Sequence, residues 1–259
     1  WRTNVKQTGT EQALDLRAGS ASSAPSSLTV VDHGTGDPRL WMIADAEGAS
    51  LPELVVYDAP EGVTSDRPQV LLTDGGVGDL AALDGDLYVA VGATTRQLTR
   101  VSQVAAGPPA VYATSLIGGS SVGSLTVIGG RLCLTSGAGT PTGVEPHVLN
   151  GVTIELLADI GPGNAGSAPG EFLGADGDAY FTATDGLSGT ELWRSDGTPA
   201  GTVRVVDAAP GSAGSFPYLL TAADGGVVFS AHGAAGRELW FARASDGTAF
   251  LLDDLFPGP

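Results

Sequence analysis

GTELWRSDGTPAGTVRVVDAAPG, residues 189–211, is the stretch from which the fold is read. Glu191-Leu192-Trp193-Arg194 has the apolar and aromatic content of a strand. Asp196-Gly197 is a hairpin signal, because both residue types tolerate the positive φ that tight turns require. Thr202–Val206 is rich in β-branched residues and reads as the returning strand, with Val203 and Val205 on one face and Arg204 on the other. Asp207 ends that strand and Pro210-Gly211 breaks the chain.

Working outward, the same signals recur. Asp159, Pro162-Gly163 and Gly166-Ser167 repeat as Asp207, Pro210-Gly211 and Gly214-Ser215. Glu191-Leu192-Trp193 repeats as Glu238-Leu239-Trp240, and Trp1-Arg2 with Gly9-Thr10 corresponds to Trp193-Arg194 with Gly201-Thr202. Each period starts with a strand near Leu28, Leu80, Leu125, Phe172 or Leu220. Turns follow at Asp84-Gly85, Gly129-Gly130, Asp176-Gly177 and Asp224-Gly225, then second strands at Leu87–Val91, Leu132–Thr135, Ala179–Ala183 and Val227–Ala231. Third strands are expected at Leu54–Tyr57, Gln97–Val101, Glu145–Leu149, Glu191–Arg194 and Glu238–Phe241. Fourth strands are expected at Val70–Thr73, Ala110–Thr114, Thr153–Ala158, Thr202–Val206 and Phe250–Asp253.

Four short antiparallel strands per period of about 45–50 residues describe an all-β protein built as a β-propeller. A lone four-stranded sheet cannot bury both faces, and stacking against neighbours buries them. The chain reads as one propeller domain over residues 1–259, with a half-blade at 1–24 and repeats near 25–74, 75–119, 120–166, 167–214 and 215–259. Five blades plus an N-terminal half-blade leave three arrangements open. The chain is a window of a larger ring, or the half-blade caps an open arc, or it pairs with another chain or a missing segment. A start on the motif tryptophan favours the window.

Glu191-Leu192-Trp193-Arg194-Ser195-Asp196-Gly197-Thr198, followed by Pro199-Ala200-Gly201-Thr202, closely resembles the ELWxxDGT repeat family of bacterial secreted and surface proteins. Gly236–Trp240 is a half match with Ser245-Asp246-Gly247-Thr248 displaced, and Trp1–Asp15 is weaker, with Asn4 and Val5 at the turn. The resemblance implies a propeller-like repeat array at the cell exterior. It carries no reaction and no catalytic residue.

Composition sets outer limits. The 259 residues include 39 glycines and 16 prolines, which favour short strands and turns over long helices. A net charge of −17 argues against binding nucleic acid and anionic membranes. No apolar run reaches the roughly 18 residues of a membrane span, so membrane insertion is not expected. The single cysteine, Cys133, lies in an apolar run and reads as an inert core residue rather than a thiol nucleophile.

Motifs that could carry chemistry meet structural alternatives. Gly161–Gly166 fits GxGxxG but leads into Ser167-Ala168-Pro169-Gly170, where a dinucleotide site needs a helix. Gly119–Gly123 fits GxSxG in a repeat of hairpins that offers no strand-to-helix elbow. His33, His147 and His232 have no metal-type spacing; His147 occupies the slot of Trp193 and suggests packing. Asp15, Asp159, Asp207 and Asp254 recur beside the loops that change blade. They read first as acceptors for backbone N–H groups of those glycine-rich turns, and second as calcium candidates, since hard cations take carboxylate and carbonyl oxygens. Asp84/Asp86 and Asp176/Asp178 flank turn glycines and carry the same lesser metal option. Trp41, Trp193 and Trp240 read as core between blades, with exposed sugar platforms as the alternative.

The expected function is a non-enzymatic extracellular or cell-surface scaffold that binds a protein or polysaccharide partner. A propeller hydrolase or lyase acting on polysaccharide, with acidic residues in a central channel, and a structural segment of a larger assembly are the alternatives. No cofactor other than calcium is expected. The loops around His33–Arg39 and Asp58–Pro68, where the copies differ most, are the expected place for a local function.

Overall fold

A computed structural model describes residues 2–3, 10–11, 22–31, 39–45, 52–57, 69–72, 76–92, 96–101, 114–115, 122–137 and 141–253. Strands and turns make up the described secondary structure. A two-stranded ribbon comes first, β1 (Arg2–Thr3) with β2 (Thr10–Glu11). Five four-stranded antiparallel sheets follow in chain order. The first holds β3 (Ser26–Val31), β4 (Arg39–Ala44), β5 (Glu53–Tyr57) and β6 (Gln69–Leu72). The second holds β7 (Val77–Leu83), β8 (Asp86–Val91), β9 (Gln97–Val101) and β10 (Thr114–Ser115). The third holds β11 (Gly123–Ile128), β12 (Arg131–Ser136), β13 (Glu145–Asn150) and β14 (Thr153–Leu156). The fourth holds β15 (Gly170–Ala175), β16 (Asp178–Thr184), β17 (Thr190–Ser195) and β18 (Val203–Val206). The fifth holds β19 (Tyr218–Ala223), β20 (Gly226–Gly233), β21 (Gly236–Arg243) and β22 (Ala249–Asp253).

The first strands β3, β7, β11, β15 and β19 lie side by side in that order. The arrangement is a β-propeller-like all-β fold. Turn chemistry fixes its hairpins. Asp84-Gly85, Gly129-Gly130 and Asp176-Gly177 each form two-residue loops with positive φ at both positions (52° and 79°, 56° and 75°, 51° and 87°), the conformation whose twist matches paired strands. Asp-Gly and Gly-Gly are the residues that accept it.

The sheets stack face to face on apolar side chains, each fully buried one being worth about 1.5–3 kcal/mol. Trp41, Ile43, Leu54 and Val56 of the first sheet meet Leu80, Leu87 and Val89 of the second. Tyr88 and Leu98 meet Leu125, Leu132, Leu134 and Leu149. Ile128, Cys133 and Val148 meet Ala179 and Phe172. Tyr180 and Leu192 meet Val227, Phe229 and Ala231, with Trp240 packed against them.

Two expectations change at the motif itself. Asp196-Gly197 does not close a two-residue hairpin: β17 and β18 pair through Arg194 and Val203, so residues 195–202 form a longer loop. Asp196 orders that loop instead, its Oδ1 accepting from Thr198 N at 2.9 Å and Thr198 Oγ1 at 2.7 Å. Val203, placed by the alternation on one face with Val205, is exposed because the fourth strand is the outer edge of its sheet. Of the fourth strand expected at Ala110–Thr114, the part before Thr114 lies outside the described residues.

Candidate functional site

The acid of the ELW motif is the first chemical feature to account for. Glu191 on β17 is buried, and so is Glu145 at the same position of β13. Glu145 Oε2 accepts from Ile160 N at 3.2 Å and Oε1 from Gly161 N at 2.9 Å, while Ser167 Oγ donates to Oε2. Glu191 Oε1 accepts from Ser215 N at 2.8 Å, Ser215 Oγ donates to Oε2, and the Ala208 amide also donates. Each carboxylate thus clasps the loop that leads to the next sheet. Burial pushes both acids above the ordinary carboxylate range; the Ser and backbone donors pull the other way.

For Asp159 and Asp207 this changes the role expected of the recurrent aspartates. The loop amides go to Glu145 and Glu191, which point into the interface from the third strand. Asp159 is exposed at the loop surface. Asp207 Oδ2 lies 3.5 Å from Arg204 Nη1, and its Oδ1 is buried with no hydrogen-bond partner. Asp15 and Asp254, the other calcium candidates, lie outside the described residues, as do His33 and the loops at 33–38 and 58–68. Among the described residues, no three His, Cys, Asp or Glu side chains converge as metal ligands would.

At the hairpin-turn end two grooves open between sheets. One of about 690 Å³ is lined by Asp176, Asp178 and Arg194 of the fourth sheet and Asp224, Phe241 and Arg243 of the fifth. The other, about 470 Å³, runs past Asp84, Tyr88, Arg131, Glu155 and Thr198. The second acid of each Asp-Gly-Asp turn is held by arginine: Arg194 Nε donates to Asp178 Oδ2 at 2.5 Å, and Arg100 Nε to Asp86 Oδ2 at 2.7 Å. Arg131 Nη1 donates to Asp196 O at 2.7 Å, tying the third sheet to the motif loop of the fourth. These grooves can offer paired charges and hydroxyls to a polar ligand.

The remaining sequence candidates fall into structural roles. Cys133 is buried and its thiol is pushed up to about 11 by burial, against the pull of Arg131. His147 is held neutral-ward by burial, with Nδ1 2.9 Å from Glu145 O. Trp41 is fully buried. Trp193 is half-buried and donates from Nε1 to Ala183 O at 3.2 Å; Trp240 is half-buried in the interface of the last two sheets. After Gly161–Gly166 the chain runs into β15 and not into a helix, so no pyrophosphate cradle forms. Of Gly119–Gly123, the described part enters β11 directly. Among the described residues, no helix is long and apolar enough to cross a membrane.

No protein-family model matches the chain, and no curated protein matches it significantly. Solved structures do. A puromycin-hydrolyzing peptidase of Mycobacterium tuberculosis is 13% identical with a TM-score of 0.59, over 94% of this chain and 40% of that one. A structure from a study of two prolyl endopeptidases is 11% identical with a TM-score of 0.52, over 87% of this chain and 34% of that one. The β-propeller domain of the trilobed protease from Pyrococcus furiosus is 14% identical over 90% of this chain and 85% of that one, with a TM-score of 0.40, a likeness too low to weigh. The chain therefore spans well under half the length of the two peptidases it resembles, and at such identity the likeness is one of fold.

Proposed function

We propose that the chain is a propeller scaffold, exposed outside the cell, that binds a protein or polysaccharide partner and does not itself catalyse a reaction. The observation that carries this reading is the use made of its buried acids. Glu145 and Glu191, the most enclosed carboxylates with described partners, have their oxygens committed to backbone amides and serines of the inter-sheet loops. The second acids of the two Asp-Gly-Asp turns are committed to arginines. Glu145 and Glu191 thus tie a sheet to the loop leading to the next, and the two arginine–aspartate pairs brace strands within one sheet, which supports structural roles for these four acids. The resemblance to the ELWxxDGT repeats supports the extracellular setting.

A second reading is favoured by the structural neighbours: the chain is the propeller portion of a larger hydrolase, since a fraction of each peptidase covers nearly all of it. Binding of the purified protein to glycan and peptide arrays, run beside assays with puromycin, prolyl peptides and polysaccharides, separates the two. Saturable binding without turnover supports the scaffold. Turnover by the purified chain that is lost on replacing Asp176 or Asp178 contradicts it.

A further inference from the structure

Asn150-Gly151 stands at the turn of the third sheet's outer hairpin. β13 and β14 pair up to Asn150 and Thr153, so Gly151-Val152 is a two-residue loop. Gly151 has φ 62°, a value that glycine takes without strain at the first position of such a turn. The turn thus sets an asparagine directly before the one residue type that has no side chain. The asparagine's carboxamide carbon, Cγ, is an electrophile within reach of the next backbone nitrogen. Joining the two closes a five-membered ring.

The hairpin leaves that path open in three respects. Water reaches it: Asn150 and Gly151 are exposed, and Val152 is 63% exposed. Space surrounds it: a Cβ added at Gly151 would meet no atom within 4 Å. The nucleophile is uncommitted: Asn150 and Thr153 close the ladder, and among the described residues the Gly151 N–H makes no hydrogen bond. The carboxamide itself is placed by Glu155, whose Oε1 accepts from Asn150 Nδ2 at 3.1 Å. Asn164 supplies an internal comparison. It is exposed in a loop but precedes Ala165, whose methyl group crowds the same approach. Asn4, the third asparagine, lies outside the described residues.

We propose that Asn150 is a self-modification site, which the folded protein converts to aspartyl and isoaspartyl forms with water as the co-reactant. Gly151 N attacks Asn150 Cγ and gives up its proton. The Cγ–Nδ2 bond breaks, and Nδ2 leaves with that proton as ammonia. The product is a succinimide. Water then opens the ring at either carbonyl. Cleavage of the new N–Cγ bond restores the ordinary backbone with an aspartate. Cleavage at the backbone carbonyl leaves the chain running through Cγ, an isoaspartate. One water enters, one ammonia leaves, and nothing is oxidised or reduced. The new carboxylate adds a negative charge and ends the Nδ2 bond to Glu155, setting two like charges across the hairpin, which weakens the pairing. Asn150 and Glu155 also line the groove of about 470 Å³ that Asp84 and Arg131 share, so the change alters the charge of that groove.

The test incubates the folded full chain at pH 8 in oxygen-18 water. Ion exchange follows the acidic form, peptide mapping by mass spectrometry locates it, and isoaspartyl methyltransferase labelling identifies the rearranged product. The expected result is conversion at Asn150 at least tenfold faster than at Asn164, with a single heavy oxygen gained and both aspartyl products present. Asn150→Gln, whose side chain is one carbon too long for the five-membered ring, should abolish the acidic form. The substitution falls on an exposed side chain, and unchanged circular dichroism confirms that the variant folds. Equal rates at Asn150 and Asn164, absence of isoaspartate at 150, or an acidic form that persists in Asn150→Gln overturns the proposal. Conversion seen only after unfolding in urea also overturns it, by showing that the folded hairpin protects the site.

Discussion

The fourth and fifth sheets carry the two clearest copies of the ELW motif, and they differ where it matters. In the fourth, Glu191 clasps Ser215, Trp193 bonds to Ala183 and Asp196 orders its loop. Every distinctive residue of the motif is engaged in building the sheet or joining it to the next. In the fifth, Asp246 again bonds Thr248 N and Oγ1, at 2.9 and 2.7 Å, but the inner strand exchanges small and polar residues for exposed Phe216, Tyr218 and Leu219. Agreement between copies marks architecture, and departure from the pattern here leaves apolar side chains exposed.

The comparison can be broken at several points. Phe181→Ala in the fourth sheet removes a fully buried ring stacked on Phe172 at 5.0 Å and should cost about 3–5 kcal/mol. Phe216→Ala in the fifth should change stability by no more than about 0.5 kcal/mol. Urea unfolding of both variants checks the pair; equal losses would erase the distinction.

Glu191→Ala leaves the Ser215 donors without their acceptor and should cost about 3 kcal/mol. The milder Glu191→Gln tests the charge. Burial raises the folded pKa of Glu191 above its unfolded value of 4.5, so the native state holds its proton over a pH range in which the unfolded chain has lost it. That contribution to stability is full below 4.5 and is lost as pH rises through the folded pKa. Unfolding midpoints measured from pH 4 to 8 should therefore decline less steeply for Glu191→Gln than for the wild type. An unchanged slope would show that Glu191 titrates alike in both states.

Tyr180→Phe should be neutral or stabilising by up to about 1 kcal/mol, because its buried hydroxyl has no hydrogen-bond partner. A loss of more than 1 kcal/mol in thermal unfolding would reveal a bond that the structure does not contain. The smallest effect belongs to Leu219→Ser, with a stability change within about 0.5 kcal/mol, measured in the same thermal experiment.

Much of this architecture was legible before the structure. Hairpins announce themselves locally: Asp84-Gly85, Gly129-Gly130 and Asp176-Gly177 sit between alternating apolar runs, and their turns need only neighbouring residues. The clasps were not legible in that way. In sequence Glu145 and Glu191 stand at strand starts, and Asp159 and Asp207 lie nearer the loop amides. Which carboxylate reaches the loop depends on strand pairing and the path of the following loop, neither of which is local. A signal was present: Glu145, Glu191 and Glu238 recur in one register and Ser167 and Ser215 in another, and a buried acid that repeats with a serine asks for a bond between them. The long hairpin at Asp196 escaped for a related reason, since an Asx turn and a two-residue hairpin share the Asp-Gly signal. The exposed face of the fifth sheet needed solvent accessibility, which no pattern of residues reports.

The central claim is that the motif glutamate joins one sheet to the next. A double-mutant cycle of Glu191→Ala and Ser215→Ala, followed by urea unfolding at pH 7, tests it most directly. The account predicts a coupling of about 1–3 kcal/mol between the two sites. Additive losses, with a coupling within about 0.3 kcal/mol of zero, would contradict it.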